Sequence, residues 1–191
     1  MPQIAVIIPT VNYERITNLI GDLIANKEPL NIIIIKNNYA GFAKAINFGV
    51  KQALINPEIE VIILMNDDIR LHGYWLEALK SKTEDIICDK HMLREEHCPF
   101  YYVYIKREVF EKIGLLDERF EIGQVEDVDF CIRAIESGFK LAETDTKHIT
   151  HKASITLDKL NEGQKEKVKQ NKEKFLEKYK GTKWEYVYGK L

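Results

Sequence analysis

The sequence predicts an α/β protein: one domain with a mostly parallel central sheet flanked by helices, and an amphipathic helix at its C-terminal end. Three observations predict it. Continuous apolar runs at Ile4–Ile8, Ile32–Ile35 and Val61–Met65 are short and β-branched, as strands covered on both faces are. Segments of helical periodicity lie between them, which is the alternation a parallel sheet requires. The 191 residues suffice for one domain with a sizeable core and are too few for two ordinary ones.

Each element has its own warrant. Between the first two runs, Ile16, Leu19, Ile20, Leu23 and Ile24 repeat at helical spacing, with Thr10 and Asn12 as candidate caps. Between the second and third, Ala43, Ile46, Asn47, Val50 and Leu54 do the same, and Pro57 closes the unit. The first half therefore reads β-α-β-α-β. A helix over His72–Leu79 follows, then a strand at Ile86–Cys88. Tyr101–Ile105 is aromatic and β-branched, suited to a strand of a mixed sheet. Helices over Arg107–Ile113 and Val125–Glu136 stop at Gly114 and Gly138. Leu157–Tyr179 reads as a Lys-rich amphipathic helix, packed through Val168, Phe175, Leu176 and Tyr179. Trp184, Tyr186, Val187 and Tyr188 then read as a docking tail or as the contact of a homodimer. Residues 1–156 are thus expected to carry the site, and residues 157–191 to form a helical tail packed on the same domain.

Composition bounds the partners. A net charge of -2 makes no electrostatic case for nucleic acid. Met1-Pro2-Gln3 leads straight into an apolar strand with no basic region before it, so the mature chain is expected to start here. No window approaches the roughly 18 apolar residues of a spanning helix. The expectation is a soluble, cytoplasmic protein, with the Lys-rich helix as the candidate surface for peripheral contact with anionic lipid. Cys88, Cys98 and Cys131 are odd in number and lack disulfide-framework spacing, which fits a reducing compartment.

The chemistry concentrates in three places. The stretch VIILMNDDIRLHGYW ends an apolar run in Asn66, Asp67 and Asp68. Adjacent carboxylates repel each other unless something positive sits between them. In a Rossmann-like open sheet these residues lie at the carboxyl edge of the strands, facing Pro9-Thr10, where ligands bind. Clustered oxygen ligands suit a hard cation, Mg²⁺ or Mn²⁺; the same residues also suit a solvated turn. The second place is GQVEDVDF, with Glu126, Asp127 and Asp129 near a helix start, where the macrodipole favours acids whatever their function. The third is KHITHKAS, where His148 and His151 follow the apparent last strand. A rival metal set, Cys88, His91, His97 and Cys98 in CDKHMLREEHC, has irregular spacing for a zinc site.

In order and spacing these pieces resemble the family 2 type of glycosyltransferase with the GT-A fold, particularly its rhamnosyltransferase-like branch. The resemblance spans roughly Ile4 to Ser154. It rests on VIIPTVNY, GFAKAINFGVKQA and LMNDDI in place of the family's Asp-x-Asp motif. It rests further on IKREVFEKIGLLDERF, EDVDFCIRAIESGFK and HKAS. It implies an inverting, divalent-metal-dependent transferase that moves a sugar from a nucleotide-sugar donor to a hydroxyl of a glycan, lipid or protein. Asn66 and Asp68 would hold Mn²⁺ or Mg²⁺ with His151, or alternatively His148, and Asp67 would face the sugar or ribose. Asp127 would be the general base, and Glu126 would hold the acceptor or its loop.

The resemblance also implies that Pro9, Thr10, Asn12 and Tyr13 form the first nucleotide-binding loop, with Asn38, Gly41, Phe42 and Lys44 as further donor contacts. The family's base-reading Asp is replaced by Lys36, so UDP, dTDP and GDP donors all stay open. Two other functions fit parts of the pattern: a non-catalytic nucleotide-sugar or carbohydrate-binding protein on the same fold, and a nucleotidyltransferase. Against the second, PTVNYER is not a glycine-rich loop.

Overall fold

The computed structural model describes residues 3–37, 41–89, 97–152 and 160–186. A six-stranded sheet runs in the order β2-β1-β3-β6-β5-β7. Its strands are β1 (Gln3–Thr10), β2 (Leu30–Lys36), β3 (Ile59–Met65), β5 (Ile86–Asp89), β6 (Tyr102–Lys106) and β7 (Leu141–Thr144). Strands β2, β1 and β3 are mutually parallel, β6 runs antiparallel to both β3 and β5, and β7 is parallel to β5. The sheet is therefore mixed but mostly parallel, with helices over both faces.

Alternation along the strands divides the core in two. Ala5, Ile7, Ile62 and Leu64 point to one face, under helices α2 (Phe42–Leu54), α4 (Arg107–Ile113) and α5 (Glu126–Glu136). Ile4, Val6, Ile8, Val61 and Ile63 point to the other, under α1 (Thr17–Ile24) and α3 (Trp75–Lys80). Gly49 lets α2 settle onto β1, since a Cβ there would stand 2.5 Å from Ile7 Cγ2. The Asn47 side chain, buried on α2, donates to Leu116 O and accepts from Leu116 N, which satisfies a polar group inside the core.

Three differences from expectation have plain causes. Ile32–Ile35 are only half-buried because β2 is an edge strand, whereas β1 and β3 are covered on both faces. The helix expected over His72–Leu79 starts only at Trp75. The residues before it form β4 (Ile69–Leu71), which pairs antiparallel with β8 (Ile149–His151), and strands of three residues leave no readable period. Ile24, placed by its spacing on the buried stripe of α1, is 72% exposed at the helix end.

The last helix, α6, spans Glu162–Lys178 and opens with a capping box: the Asn161 side chain accepts from Gln164 N, and Gln164 reaches back to Asn161 N. It packs Phe175, with Tyr179 beyond its end and Trp184, against Phe120, Val125, Val128 and Ile132, whereas Val168 and Leu176 are only half-buried. A polar cluster adds to this packing. Asp129 of α5 is fully buried and accepts from Arg133 Nε at 2.9 Å and Tyr179 OH at 2.8 Å, and it pairs with Lys178. No described helix is long and apolar enough to cross a membrane.

Candidate active site

A cleft of about 370 Å³ opens at the carboxyl edge of the parallel strands. Pro9 and Thr10 reach it from the end of β1, Asn37 from β2 and Asn66, Asp67 and Asp68 from β3, with Phe42, His97, Tyr101, Glu126, Asp127 and His151 completing much of its wall. This is where an open α/β sheet leaves a crevice for ligands.

The positive charge that adjacent carboxylates demand is Arg15, on the 3₁₀ turn after β1. Its guanidinium lies 3.1 Å from Asp67 Oδ1 and 3.6 Å from Asp68 Oδ2. Asp67 is 6% exposed and accepts the Thr10 hydroxyl at 2.7 Å. Burial pushes its carboxyl above the ordinary range, opposed by the Thr10 hydrogen bond and the Arg15 charge. Asp67 is thus engaged by the protein's own groups at the floor of the cleft.

Asp68 has a different partner. Because β4 registers Ile69 against His151, and Lys152 N donates to Asp68 O at 3.2 Å, the His151 ring comes beside Asp68. Its Nε2 stands 3.1 Å from Asp68 Oδ1, and neither buried atom has a hydrogen-bond partner. Two ligands about 2.1 Å from one octahedral cation stand roughly 3 Å apart when adjacent, so this spacing fits Mg²⁺ or Mn²⁺. No three His, Cys, Asp or Glu side chains gather at a metal-binding spacing among the described residues. The third expected donor is the amide of Asn66, which lines the same cleft.

The His151 ring is held flat by Tyr101, stacked at 4.1 Å and 12°, and the Tyr101 hydroxyl is fixed by Asp89. Burial and the Asp89 charge hold that phenol protonated well beyond its usual range. His148 does not line the cleft, and its Nδ1 lies on His72 O at 3.2 Å.

The second acidic cluster begins α5. Glu126 is 5% exposed, with Oε2 accepting Val125 N at 3.1 Å. Burial, and secondarily the Asp127 charge, raise its carboxyl to about 8. Asp127 accepts its neighbour Val128 N on Oδ1 at 2.9 Å, while Oδ2 lies 3.0 Å from His97 Nε2. The loop before them is strained: Ile122 and Gln124 have φ of 70° and 80°. It is braced from two sides. Ile122 O accepts Phe42 N at 2.9 Å, and the buried amide of Asn171 on α6 binds Glu121 N, Glu121 O and Gly123 O. Gly41, at φ 112°, leaves room for this loop, since a Cβ there would lie 3.2 Å from Ile122 N.

Glu126 supports a pH prediction. Its folded pKa lies above its unfolded value, so the folded state holds a proton that the unfolded state releases. The stability that Glu126 contributes is therefore fully present below about pH 4.5 and is lost as pH rises towards 8. Glu126→Gln removes the titration, and should unfold at a higher temperature than the parent at pH 9 while matching it at pH 5. A gain on the order of 2 kcal/mol at the higher pH is expected, read from thermal melts at both pH values.

Of the residues expected to bind donor, Pro9, Thr10, Phe42 and Asp67 line the cleft. Asn12, Tyr13, Gly41 and Lys44 do not, and Tyr13 is 52% exposed. The Asn12 side chain instead caps the 3₁₀ turn by accepting Glu14 N. Asn38 lies outside the described residues, as does His91 of the rival zinc set. The three thiols are free and buried: Cys98 N donates to Cys131 Sγ, and His97 turns to Asp127 instead of to Cys88 or Cys98. Arg15, Tyr101 and the contact of His97 with Asp127 are absent from the site that the sequence predicts. The one signal for Arg15 is the demand for a cation beside two carboxylates.

No family model and no curated protein matches this sequence. Solved structures do match in fold. The catalytic domain of Drosophila β1,4-galactosyltransferase 7, in complex with xylobiose, is 13% identical over 88% of this chain and 80% of its own, with a TM-score of 0.64. A mutant of that enzyme was solved with manganese, UDP-Gal and xylobiose. TarS of S. aureus is 14% identical over 77% of this chain and 36% of its own, with a TM-score of 0.56. A197 from STIV is 17% identical over 80% and 86%, also at 0.56. The chain has the GT-A fold of the glycosyltransferases among these structures.

Proposed function

We propose that this chain is an inverting, divalent-metal-dependent glycosyltransferase of the family 2 type, in its rhamnosyltransferase-like branch. It moves a sugar from a nucleotide-sugar donor to a hydroxyl of a glycan, lipid or protein. The observation that carries this reading is the convergence of the Asp68–His151 pair and Asp127 on one cleft at the carboxyl edge of the sheet. The fold neighbour solved with manganese, UDP-Gal and xylobiose supports the class of donor, metal and acceptor.

In this reading Pro9, Thr10 and Phe42 receive the nucleotide of a UDP, dTDP or GDP sugar. Asn66, Asp68 and His151 would hold Mn²⁺ or Mg²⁺, which when bound neutralises the diphosphate leaving group. A sugar hydroxyl is a weak nucleophile. Asp127 takes its proton as the oxygen bonds to the anomeric carbon and the bond to the diphosphate breaks. One base on the face opposite the leaving group dictates inversion. Glu126, holding its own proton at neutral pH, acts as a hydrogen-bond donor to the acceptor and leaves the base role to Asp127.

The test offers UDP-, dTDP- and GDP-hexoses with Mn²⁺ and follows release of the nucleoside diphosphate, with NMR of the anomeric proton in the product. One donor should turn over with inverted configuration, and Asp68→Ala should lose that turnover by about 10²-fold or more. Donor binding without any turnover would make the chain a binding protein. Pyrophosphate release from a nucleoside triphosphate would make it a nucleotidyltransferase.

A further inference from the structure

His97 sits in the cleft with a side chain 8% exposed, and its Nε2 lies 3.0 Å from Asp127 Oδ2. A buried imidazole facing a carboxylate oxygen at that distance needs a proton between the two atoms, since two lone pairs would repel. The other Asp127 oxygen takes the Val128 amide at 2.9 Å. Each carboxylate oxygen therefore has one fixed donor and one lone pair to spare, and the plane of the carboxylate is set by both.

The segment bearing His97 is itself fastened to the helix that bears Asp127. Cys98 N donates to Cys131 Sγ at 3.3 Å, and the Cys131 thiol contacts Cys98 O at 3.8 Å. Asp127 and Cys131 are one helical turn apart, so residues 97 and 98 grip α5 at two successive positions on one side. This staple is buried: Cys98 and Cys131 lie fully inside the core below the cleft. Such rigidity holds His97 steady as a hydrogen-bond donor, whereas a mobile loop would not.

We propose that His97 is the positioning residue for Asp127: its Nε2–H fixes Oδ2, so that the free lone pairs of the carboxylate stay aimed into the cleft where an acceptor hydroxyl would arrive. This inference rests on the reading of Asp127 as the base. It goes beyond that reading by assigning the orientation of the base to a residue 30 positions away, on a different segment. It also explains why His97 is not available to a zinc site. Misplacing a reacting group by about an ångström costs on the order of 10²-fold in rate, which sets the scale of the expected loss.

The experiment has two arms. In the first, hydrolysis of UDP-, dTDP- or GDP-hexose with Mn²⁺, water standing in for the acceptor, is measured for the parent, His97→Ala and His97→Gln, together with nucleotide affinity. His97→Ala should lose turnover by on the order of 10²-fold with affinity for the nucleoside diphosphate unchanged. His97→Gln, whose amide nitrogen can reach the place of Nε2, should recover most of the rate. A residue that only staples the loop would move stability and leave the rate of the folded protein alone. In the second arm, ¹⁵N NMR of the imidazole rings, with the His97 signal identified by its absence in His97→Gln, should find Nε2 carrying a proton.

The outcomes separate cleanly. A parent that hydrolyses no donor defeats the functional reading and this inference with it. A parent that turns over while His97→Ala keeps its rate overturns the inference alone, as does a His97 ring whose Nε2 carries no proton.

Discussion

Asp127→Asn should cut sugar transfer by about 10³-fold without emptying the cleft. The substitution keeps the size of the side chain and an oxygen that can accept Val128 N, and its NH2 can donate to His97 Nε2 once that ring takes the other tautomer, so α5 and its packing should survive. What it removes, in the role proposed for Asp127, is the capacity to take a proton from the attacking hydroxyl. General-base catalysis is worth about 10²- to 10⁴-fold, and a loss near 10³-fold corresponds to about 4 kcal/mol of barrier. Donor affinity should stay within about twofold, because only an interaction made in the transition state has gone. Initial rates and nucleotide titrations on the same preparation check both halves. A rate preserved in Asp127→Asn would move the base elsewhere, and a donor affinity lost in parallel would make Asp127 a binding residue.

The second large effect is on stability. Asp129 is fully buried, with Arg133, Lys178 and the Tyr179 hydroxyl all directed at its carboxylate. Asp129→Ala leaves two cations facing a small apolar hole, and breaking a buried pair from one side costs about 3–5 kcal/mol. Arg133 keeps its bonds to Ile113 O and Leu115 O, and Lys178 keeps Asp117, which limits the loss to that range. The damage should be local at first. Amide exchange across Glu162–Lys178 should accelerate before the central sheet responds, because α6 is tied to the domain mainly through this cluster and the Phe175–Trp184 packing. The site would feel it too, since Asn171 of α6 braces the strained loop ahead of Glu126. Urea unfolding with exchange mass spectrometry checks this, and uniform exchange across the protein would contradict the picture of α6 as a separable clamp.

Local interactions are the ones legible in the amino-acid sequence. The apolar runs of β1 and β3 and the helical periods of α2 and α5 are properties of neighbours in the chain, and they lie where the pattern puts them. The glycine stops at Gly114 and Gly138 fall at positive φ, as a residue just beyond a helix end should. The position of NDD at the edge of the sheet follows from strand order alone.

What escapes such a reading is what depends on distance in the chain. Arg15 reaches Asp67 across 52 positions, from a turn that no local pattern ties to the two carboxylates. That His151 stands beside Asp68 is set by pairing between two three-residue strands, too short to announce themselves. His97 reads as a candidate zinc ligand because its neighbours include cysteines. Its actual partner is a carboxylate on a helix that begins 29 residues later. Glu126 reads as an ordinary helix-start acid, and only its burial turns it into a proton holder.

The most direct test of a nucleotide-sugar site is calorimetric titration of UDP, dTDP and GDP, each with and without Mn²⁺, into the parent and into Asp68→Ala. The expected result is that one nucleoside diphosphate binds the parent, that Mn²⁺ tightens it by about tenfold or more, and that Asp68→Ala loses that gain. Binding by none of the three in either condition, or binding indifferent to both Mn²⁺ and Asp68, would contradict it.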